Sequence, residues 1–223
     1  LRFHFYCIKT SSLYLRFMNR IHLVECPRDA LQGWPHKIST EDKITYYRAL
    51  LDVGFDTLDL GSFVSPRAVP SMANTDKVLS VLEDESVLPK PGTRALVIVA
   101  NERGAKQASA FKTVNDLGFP LSLSESFQQR NTGASIEEAF YRLEKIQSIC
   151  HNNDKRLVVY LSMGFGNPYG DSWHEDMLAK FSTKLHRDLG VGVIALSDTV
   201  GTASAEIVKK TFKEVVSELP DVE

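Results

Sequence analysis

The 223-residue sequence has the composition of an ordinary globular chain. It contains 43% hydrophobic and 24% charged residues, which is enough apolar material for a sizeable core. A formal net charge of -2 and a pI near 6.3 argue against a general binder of nucleic acids or anionic membranes, because such proteins need a basic excess. No apolar run reaches the ~18–20 residues of a membrane-spanning helix.

The first 17 residues differ in character from the rest of the chain. They carry basic and aromatic residues but no acid, and the sequence opens on Leu1 rather than on methionine. Two interpretations fit this pattern: a transit-like targeting peptide, which is basic and poor in acids, or translated sequence upstream of a start at Met18. Either interpretation predicts that residues 1–17 lie outside the folded domain.

The first half of the remaining chain alternates short apolar runs with helical patterns. Strands are predicted over 21–25, 57–61 and 94–100, from their β-branched and alternating apolar residues. Helices are predicted over 43–53, ending at Gly54, over 76–82, and over 105–117, ending at Gly118. A shorter fourth strand is predicted over 120–124.

The second half continues the same alternation. Ser135 followed by Glu138 forms a capping-box pattern, which predicts that a helix begins there. Strands are predicted over 156–162 and 191–196. The last two predicted helices cover 175–189 and 206–219, and Pro220 ends the final one.

Six β-α units, about 34 residues apart, predict a parallel sheet with helices packed outside it. An open doubly wound sheet is expected to show G-x-G-x-x-G after its first strand, whereas this strand runs into Cys26-Pro27-Arg28-Asp29. A TIM (β/α)8 barrel needs eight units and ~250 residues. Residues 18–223 are therefore predicted to form a partial TIM barrel, with about six of the eight units, as part of a longer protein.

Polar residues follow the predicted strands at the carboxyl ends, where ligands bind in both parallel architectures. Arg28 beside Asp29 is the sharpest pair, because an arginine can stabilise an oxyanion while a carboxylate holds a divalent cation. A structural ion pair at the rim explains the same two residues. The other polar residues at strand ends are Gln32, Asp59, Ser62, Asn101, Glu125, Ser162, Asn167, Asp198 and Thr199.

These residues carry a resemblance to a known family. In the segment Glu25-Cys26-Pro27-Arg28-Asp29-Ala30-Leu31-Gln32, the P-R-D-x-L-Q part resembles that of the E-x-x-P-R-D-x-L-Q motif of the 3-hydroxy-3-methylglutaryl-CoA lyases, which are metal-dependent TIM barrels; its glutamate stands one position closer to the proline. The resemblance holds in order from about residue 21 to the end of the chain. Its further motifs are Gly61–Pro66, Val69-Pro70, Met72, Ala100-Asn101, Ser124-Glu125, Arg130-Asn131, Ser135–Glu138, Gly166–Tyr169 and Leu196–Gly201.

The resemblance implies retro-Claisen cleavage of a 3-hydroxyacyl-CoA into acetyl-CoA and a 3-keto acid, acetoacetate in the type reaction. It assigns Arg28 to oxyanion stabilisation, Asp29 to binding Mg2+ or Mn2+, and Asp59 and Asp198 to the catalytic centre, with Asp198 as a possible acid–base group. The implied substrate-binding residues are Gln32, which also supports the metal shell, Ser62, Asn101, Glu125, Asn131 and Thr199.

The sequence departs from the family pattern at three kinds of position. Asp59 stands where the family usually has Glu, so the carboxylate reaches one methylene less far. Cys26 and Ala30 replace glycines that are usual in the first turn. The H-x-H pair of metal ligands and the later Asn ligand are absent from the sequence, which leaves Asp29 as its one expected ligand. We therefore expect residues 1–223 alone to lack lyase activity.

Two other functions remain open from the sequence: an acyl-CoA condensing synthase of the isopropylmalate or homocitrate type, and a non-catalytic barrel relative. The expected partners are a small acyl-CoA substrate and, as is common in the family, a second copy in a homodimer; neither nucleic acid nor membrane is expected. Three scattered cysteines are typical of a reducing compartment. The cytoplasm is predicted, or the mitochondrial matrix if residues 1–17 are a transit peptide.

Overall fold

The sheet contains six parallel strands whose order in space follows their order in the chain. The structure is a computed structural model and describes residues 21–88 and 90–223, so the prediction for residues 1–17 falls outside it. An unbroken sequential order has no point at which the strand order reverses, unlike a doubly wound sheet. The prediction of a partial TIM barrel is confirmed. The strands are β1 (Val24–Glu25), β2 (Thr57–Ser62), β3 (Arg94–Ile98), β4 (Val114–Ser122), β5 (Arg156–Ser162) and β6 (Val193–Leu196).

Eight α-helices accompany these strands within the described ranges. They are α1 (Pro27–Gln32), α2 (Thr40–Val53), α3 (Thr75–Asp84), α4 (Glu102–Ser109), α5 (Glu125–Thr132), α6 (Ile136–Asn152), α7 (Met177–Leu189) and α8 (Ala205–Glu218). A 3-10 turn at Pro70–Met72 precedes α3. None of these helices has both the length and the apolar character that crossing a bilayer requires.

Alternate residues of each strand face two different environments, as the period of two in a strand requires. On β3, Ala95 and Val97 belong to the large apolar cluster between sheet and helices, whereas Leu96 and Ile98 join Val158 in a smaller cluster on the other side. The main core therefore lies between the sheet and its helices, and the concave side of the sheet is free to carry polar groups.

Several predicted boundaries agree with the structure. Strand β5 covers the predicted range, and the Ser135 and Glu138 side chains make both hydrogen bonds of the capping box at the start of α6. Helix α2 ends at Gly54, whose φ of 85° is the left-handed conformation that glycine adopts most easily.

The prediction of a helix over 105–117 is wrong in its second half. Helix α4 ends at Ser109, and β4 already begins at Val114. Leu117, Phe119 and Leu121 are buried in the main core at strand spacing, so tertiary burial selects the period of two. Gly118 is no helix stop: it lies within β4, where an added Cβ would lie 2.6 Å from Ile98 Cδ1 and would require that side chain to shift. The sequence reading also missed α1 and α5.

Charged residues hold the amino-terminal ends of the strands together. Arg94 at the start of β3 and Arg156 at the start of β5 both bind Asp116, which is fully buried. Arg156 also binds Glu223. The Glu223 backbone pairs with Gly192 and Ile194 beside β6, in the pattern of a parallel bridge. The opposite, carboxyl-terminal ends carry the pocket.

Candidate active site

A pocket of about 600 Å³ opens at the carboxyl ends of the strands. Its position is the one at which TIM barrels place their active sites. The structure brings together, on the wall of this one pocket, nine of the residues that the sequence analysis selected: Arg28, Asp29, Gln32, Ser62, Asn101, Asn131, Ser162, Asp198 and Thr199.

Arg28 and Asp59 form an ion pair beneath the pocket surface. Helix α1 begins with Pro27, whose missing N–H is not needed at this position, and it directs Arg28 towards β2. Arg28 Nε and Nη2 lie 2.9 Å and 2.7 Å from Asp59 Oδ2. Asp59 is fully buried and does not line the pocket, whereas 15% of the Arg28 side chain is exposed. The arginine thus lies between the carboxylate and the pocket.

The second oxygen of Asp59, Oδ1, is buried and has no hydrogen-bond partner among the described residues. Burial raises the pKa of Asp59 to about 6, although the charge of Arg28 opposes this rise. A carboxyl group with a pKa near the working pH can both accept and return a proton. Asp59 therefore combines a fixed position with the capacity to exchange a proton.

The remaining donors of Arg28 connect it to the two other polar residues of α1. Nη1 donates to Asp29 Oδ1 at 3.0 Å and to Gln32 Oε1 at 2.9 Å. The Asp29 side chain is 72% exposed and points its charge at open solvent in the pocket. The structural and functional interpretations of the Arg28–Asp29 pair are therefore compatible, since the same arginine is an ion-pair partner and a pocket wall.

Asp198 is an exposed carboxylate whose two oxygens are held by the backbone. Oδ1 accepts from the Thr202 N–H at 3.0 Å and Oδ2 from the Ala203 N–H at 2.9 Å. These backbone hydrogen bonds hold the pKa of Asp198 below its usual range. The environment suits a permanent negative charge better than a proton carrier. The neighbouring Thr199 accepts from the Met163 N–H at 2.8 Å.

Ser62 and Asn101 present polar groups to the pocket from the ends of β2 and β3. The Ser62 hydroxyl is buried and has no protein partner within the described ranges, so it is available to a ligand. Asn101 is the N-cap of α4, and its Oδ1 accepts from the Gly104 N–H at 2.9 Å. Its side-chain NH2 has no acceptor among the described residues and can donate to a ligand.

Glu125 does not reach the pocket, contrary to its expected place in the substrate site. Its side chain is exposed, and Oε2 accepts from the Ile136 N–H at 3.0 Å, where α6 begins. The reason is α5, which the sequence analysis missed: Glu125 occupies the first turn of this helix instead of a strand end. Its observed contact is a structural one between two helices.

Tyr160, Arg142 and Cys26 are among the pocket residues that the sequence analysis did not assign to the site. Tyr160 faces the pocket from β5, and a lone phenol within the apolar run 156–162 was the signal that could have found it. Arg142 lines the pocket from α6 and donates to the Thr132 carbonyl at 3.2 Å; helical residues in barrels usually lie outside the site, so no local pattern marked it. Cys26 also lines the pocket, and burial raises the pKa of its thiol to about 11.

The described residues do not by themselves compose a metal site. Among residues 21–88 and 90–223, no three His, Cys, Asp or Glu side chains come together as potential ligands. Asp29 shares one oxygen with Arg28, and both Asp198 oxygens accept backbone hydrogen bonds. Mg2+ and Mn2+ take about six oxygen or nitrogen donors, so Asp29 supplies at most one position of such a shell.

Two known proteins are similar to this chain in sequence. A 3-hydroxy-3-isohexenylglutaryl-CoA/hydroxymethylglutaryl-CoA lyase of Pseudomonas aeruginosa is 29% identical over 90% of this chain and 65% of its own length. The cytoplasmic 3-hydroxy-3-methylglutaryl-CoA lyase of Rattus norvegicus is 31% identical over 87% of this chain and 54% of its own length. The chain thus spans between about half and two thirds of these two relatives.

The fold agrees with solved structures. A hydroxymethylglutaryl-CoA lyase from Pseudomonas aeruginosa superposes with a TM-score of 0.81 at 29% identity, over 90% of this chain and 65% of that structure. An HMG-CoA lyase from Bacillus subtilis gives the same TM-score and coverage at 26% identity. A model of the HMGL-like family matches residues 21–223, and the chain therefore belongs to the HMGL-like family.

Proposed function

We propose that the protein is a carbon–carbon lyase that cleaves 3-hydroxy-3-methylglutaryl-CoA, or a close 3-hydroxyacyl-CoA, to acetyl-CoA and a 3-keto acid. The relatives reported above are named as lyases of this kind, and none of these names favours a condensing synthase. The observation that carries the proposal is the Arg28–Asp59 pair beside the pocket, because it places a proton-exchanging carboxyl and a fixed positive charge side by side.

The cleavage has two chemical demands that these residues meet. A base removes the proton from the C3 hydroxyl, the electron pair of the C2–C3 bond moves to the thioester as an enolate, and C3 becomes the ketone. We assign this proton to Asp59 Oδ1, which has no hydrogen-bond partner among the described residues. Because Arg28 separates this carboxyl from the pocket, the proton reaches it through a water molecule or past a shifted guanidinium, and a proton is returned to C2 of the enolate to give acetyl-CoA. Arg28 is assigned to the enolate oxygen, since a preorganised charge stabilises an oxyanion most strongly in a water-poor site.

The shorter side chain of Asp59 has a consequence for this assignment. Arg28 lies between Asp59 and the pocket, so the carboxyl reaches the substrate only past the guanidinium. We assign to Ser62 and Asn101, each with a polar group free towards the pocket, the binding of the polar end of the acyl group. Asp198 serves as a fixed charge in this scheme, and an acid–base role for it stays a prediction.

Members of the HMGL-like family are generally metal-dependent. We propose Mg2+ or Mn2+, which when bound would polarise the substrate oxygens, with Asp29 as the ligand that this part of the protein contributes. Calorimetric titration of residues 1–223 with Mn2+ tests how much of the shell they hold. We expect no tight binding, and micromolar affinity would show that other side chains complete the shell.

The activity is tested on the natural protein that contains residues 1–223. Purified protein is incubated with 3-hydroxy-3-methylglutaryl-CoA and Mn2+, and acetyl-CoA is measured in a coupled assay. Formation of acetyl-CoA and acetoacetate in equal amounts supports the proposal. Binding of the substrate without any cleavage would instead favour a non-catalytic barrel relative.

Two further expectations accompany the proposed activity. A homodimer is proposed from the resemblance to the lyase family, and light scattering of the purified protein tests it. Residence in the cytoplasm, or in the mitochondrial matrix, is tested by imaging the protein with and without residues 1–17.

A further inference from the structure

One wall of the pocket is an irregular segment between β2 and α3. We call residues 63–73 the β2–α3 wall; four of its residues line the pocket, namely Val64, Ser65, Ala68 and Val69. The segment contains only the short 3-10 turn at Pro70–Met72. Its backbone hydrogen bonds close local turns at Ser65, Val69 and Pro70, apart from one that the Phe63 N–H donates to the Ile98 carbonyl. Local turns do not fix a segment against the rest of the fold, so its position depends on side chains from neighbouring elements.

Lys43, in the first turn of α2, reaches the far end of this wall. Its side chain is almost completely buried, with 3% of the residue exposed. The ammonium donates to the Ser71 carbonyl and, at 2.6 Å, to Asn74 Oδ1. Among the described residues it makes no ion pair with a carboxylate. Burial lowers its pKa, which is the expected cost of a buried charge with neutral partners.

A second anchor ties the same end of the wall to β2. Thr75 Oγ1 accepts from the Ser62 N–H at 3.2 Å and donates to the Met72 carbonyl at 2.9 Å. Gly61 permits this contact, because a Cβ there would lie 2.5 Å from Thr75 Cγ2. Thr75 fixes the wall to the sheet, whereas Lys43 fixes it to the helix layer.

We propose that Lys43 is a positioning residue that sets where the β2–α3 wall stands and therefore how wide the pocket is. It touches no pocket space itself and acts through Ser71 and Asn74. Asn74 extends the link, since its Nδ2 donates to Thr40 Oγ1 at 2.8 Å. An apolar side chain cannot replace it, because the Ser71 carbonyl and Asn74 Oδ1 both accept from the lysine and would lose their donor. The inference depends on this geometry alone and holds for any reaction in the pocket.

The test compares Lys43→Met with a control variant, Lys155→Met, in which a similar lysine far from the wall is changed. Lys155 also donates to two oxygens, the carbonyls of Phe111 and Val114, and burial lowers its pKa as well. Hydrogen exchange is measured in both variants, after their unfolding free energies have been determined. We expect Lys43→Met to speed exchange in residues 63–73 on the order of tenfold. Lys155→Met should change the wall less than about twofold, because distant sites act independently.

Cys26 supplies a second readout inside the pocket. It lines the same cavity as the wall, so a displaced wall should change its rate of alkylation, measured by mass spectrometry at that position. Asn74→Ala removes one of the two acceptors of Lys43. It should change exchange in residues 63–73 and Cys26 alkylation in the same directions but less, so it replaces Lys43→Met in the test if that variant folds poorly. In the lyase assay, Lys43→Met should raise KM more than it lowers kcat.

The proposal is overturned if two rates are the same in Lys43→Met and Lys155→Met at equal stability. These are the rate of hydrogen exchange in residues 63–73 and the rate of Cys26 alkylation. These two measurements need no catalytic activity. Their failure therefore does not bear on the lyase proposal, and absence of cleavage would leave the result on Lys43 intact.

Discussion

Asp59 and Asp116 are two buried carboxylates that lie beside the same residue of β3, one on each side, since both are in register with Leu96. Each is fully buried. Arg94 and Arg156 together make five hydrogen bonds to the two oxygens of Asp116. Asp59 has a single arginine on one oxygen, and its other oxygen has no partner in the described part of the chain.

The difference separates a structural carboxylate from a reactive one. Asp116 is surrounded by donors from the starts of two strands, so its hydrogen-bonding capacity is spent on holding β3, β4 and β5 together. Asp59 receives its arginine from α1, at the pocket end, and keeps one oxygen free. A buried polar atom without a partner costs free energy, and such costs are concentrated where a ligand or a proton completes the site.

The largest expected effect is on kcat, which should respond to a change at Arg28 but not to one at Arg156. In the natural protein, Arg28→Gln should lower kcat by roughly 10³-fold or more while changing KM much less, because its charge acts mainly on the enolate. Arg156→Gln, which alters the Asp116 side, should leave kcat within about threefold. An unchanged kcat in Arg28→Gln would reduce Arg28 to a structural ion-pair residue.

The second effect is on stability and is expected at Asp116, at the amino-terminal ends of the strands. Asp116→Ala leaves two arginines facing each other without a carboxylate, and removal of one partner of a buried ion pair costs about 3 kcal/mol. For a chain of this size the melting temperature should fall by roughly 6 to 12 °C. Thermal unfolding followed by circular dichroism measures it. A loss below 1 kcal/mol would mean that solvent already screens the partly exposed arginines.

The third effect is a pH dependence of Asp59. Its pKa is raised from 3.8 to about 6 in the folded protein, so folding favours the protonated form. The corresponding stability is fully present below pH 4 and is lost as pH rises through about 6. The free energy of unfolding of the wild type, relative to that of Asp59→Asn, should therefore rise by about 2 to 3 kcal/mol when the pH is lowered from 7 to 4. Urea unfolding of both proteins at the two pH values measures the difference, and a constant difference would contradict it.

The smallest effect is expected at Glu125, the acid that the structure removes from the pocket. Glu125→Gln keeps an oxygen to accept from the Ile136 N–H but loses the charge near the start of α6. The free energy of unfolding should fall by less than about 1 kcal/mol, and KM for the substrate should not change. A clear rise in KM would return Glu125 to the substrate site.

The sequence by itself determined those elements whose signals are local. The Ser135–Glu138 capping box and the strand over 156–162 depend on residues within a few positions, and both agree with the structure. The motif around Arg28 and Asp29 likewise pointed to the carboxyl ends of the strands, where the pocket lies. The resemblance to the lyases added the family, which the comparisons confirm.

Only the tertiary structure decided which of the selected acids line the pocket and which bind other protein groups outside it. Residues 110–117 fit the end of a helix by local pattern, yet burial against β3 and β5 makes residues 114–117 part of β4. Arg28 and Asp59 are 31 positions apart, and Asp116 and Arg156 are 40 apart, so their pairing follows from sheet register and helix placement. Local propensity acts over a few residues, whereas the partner of a buried charge is set by whatever the fold packs beside it.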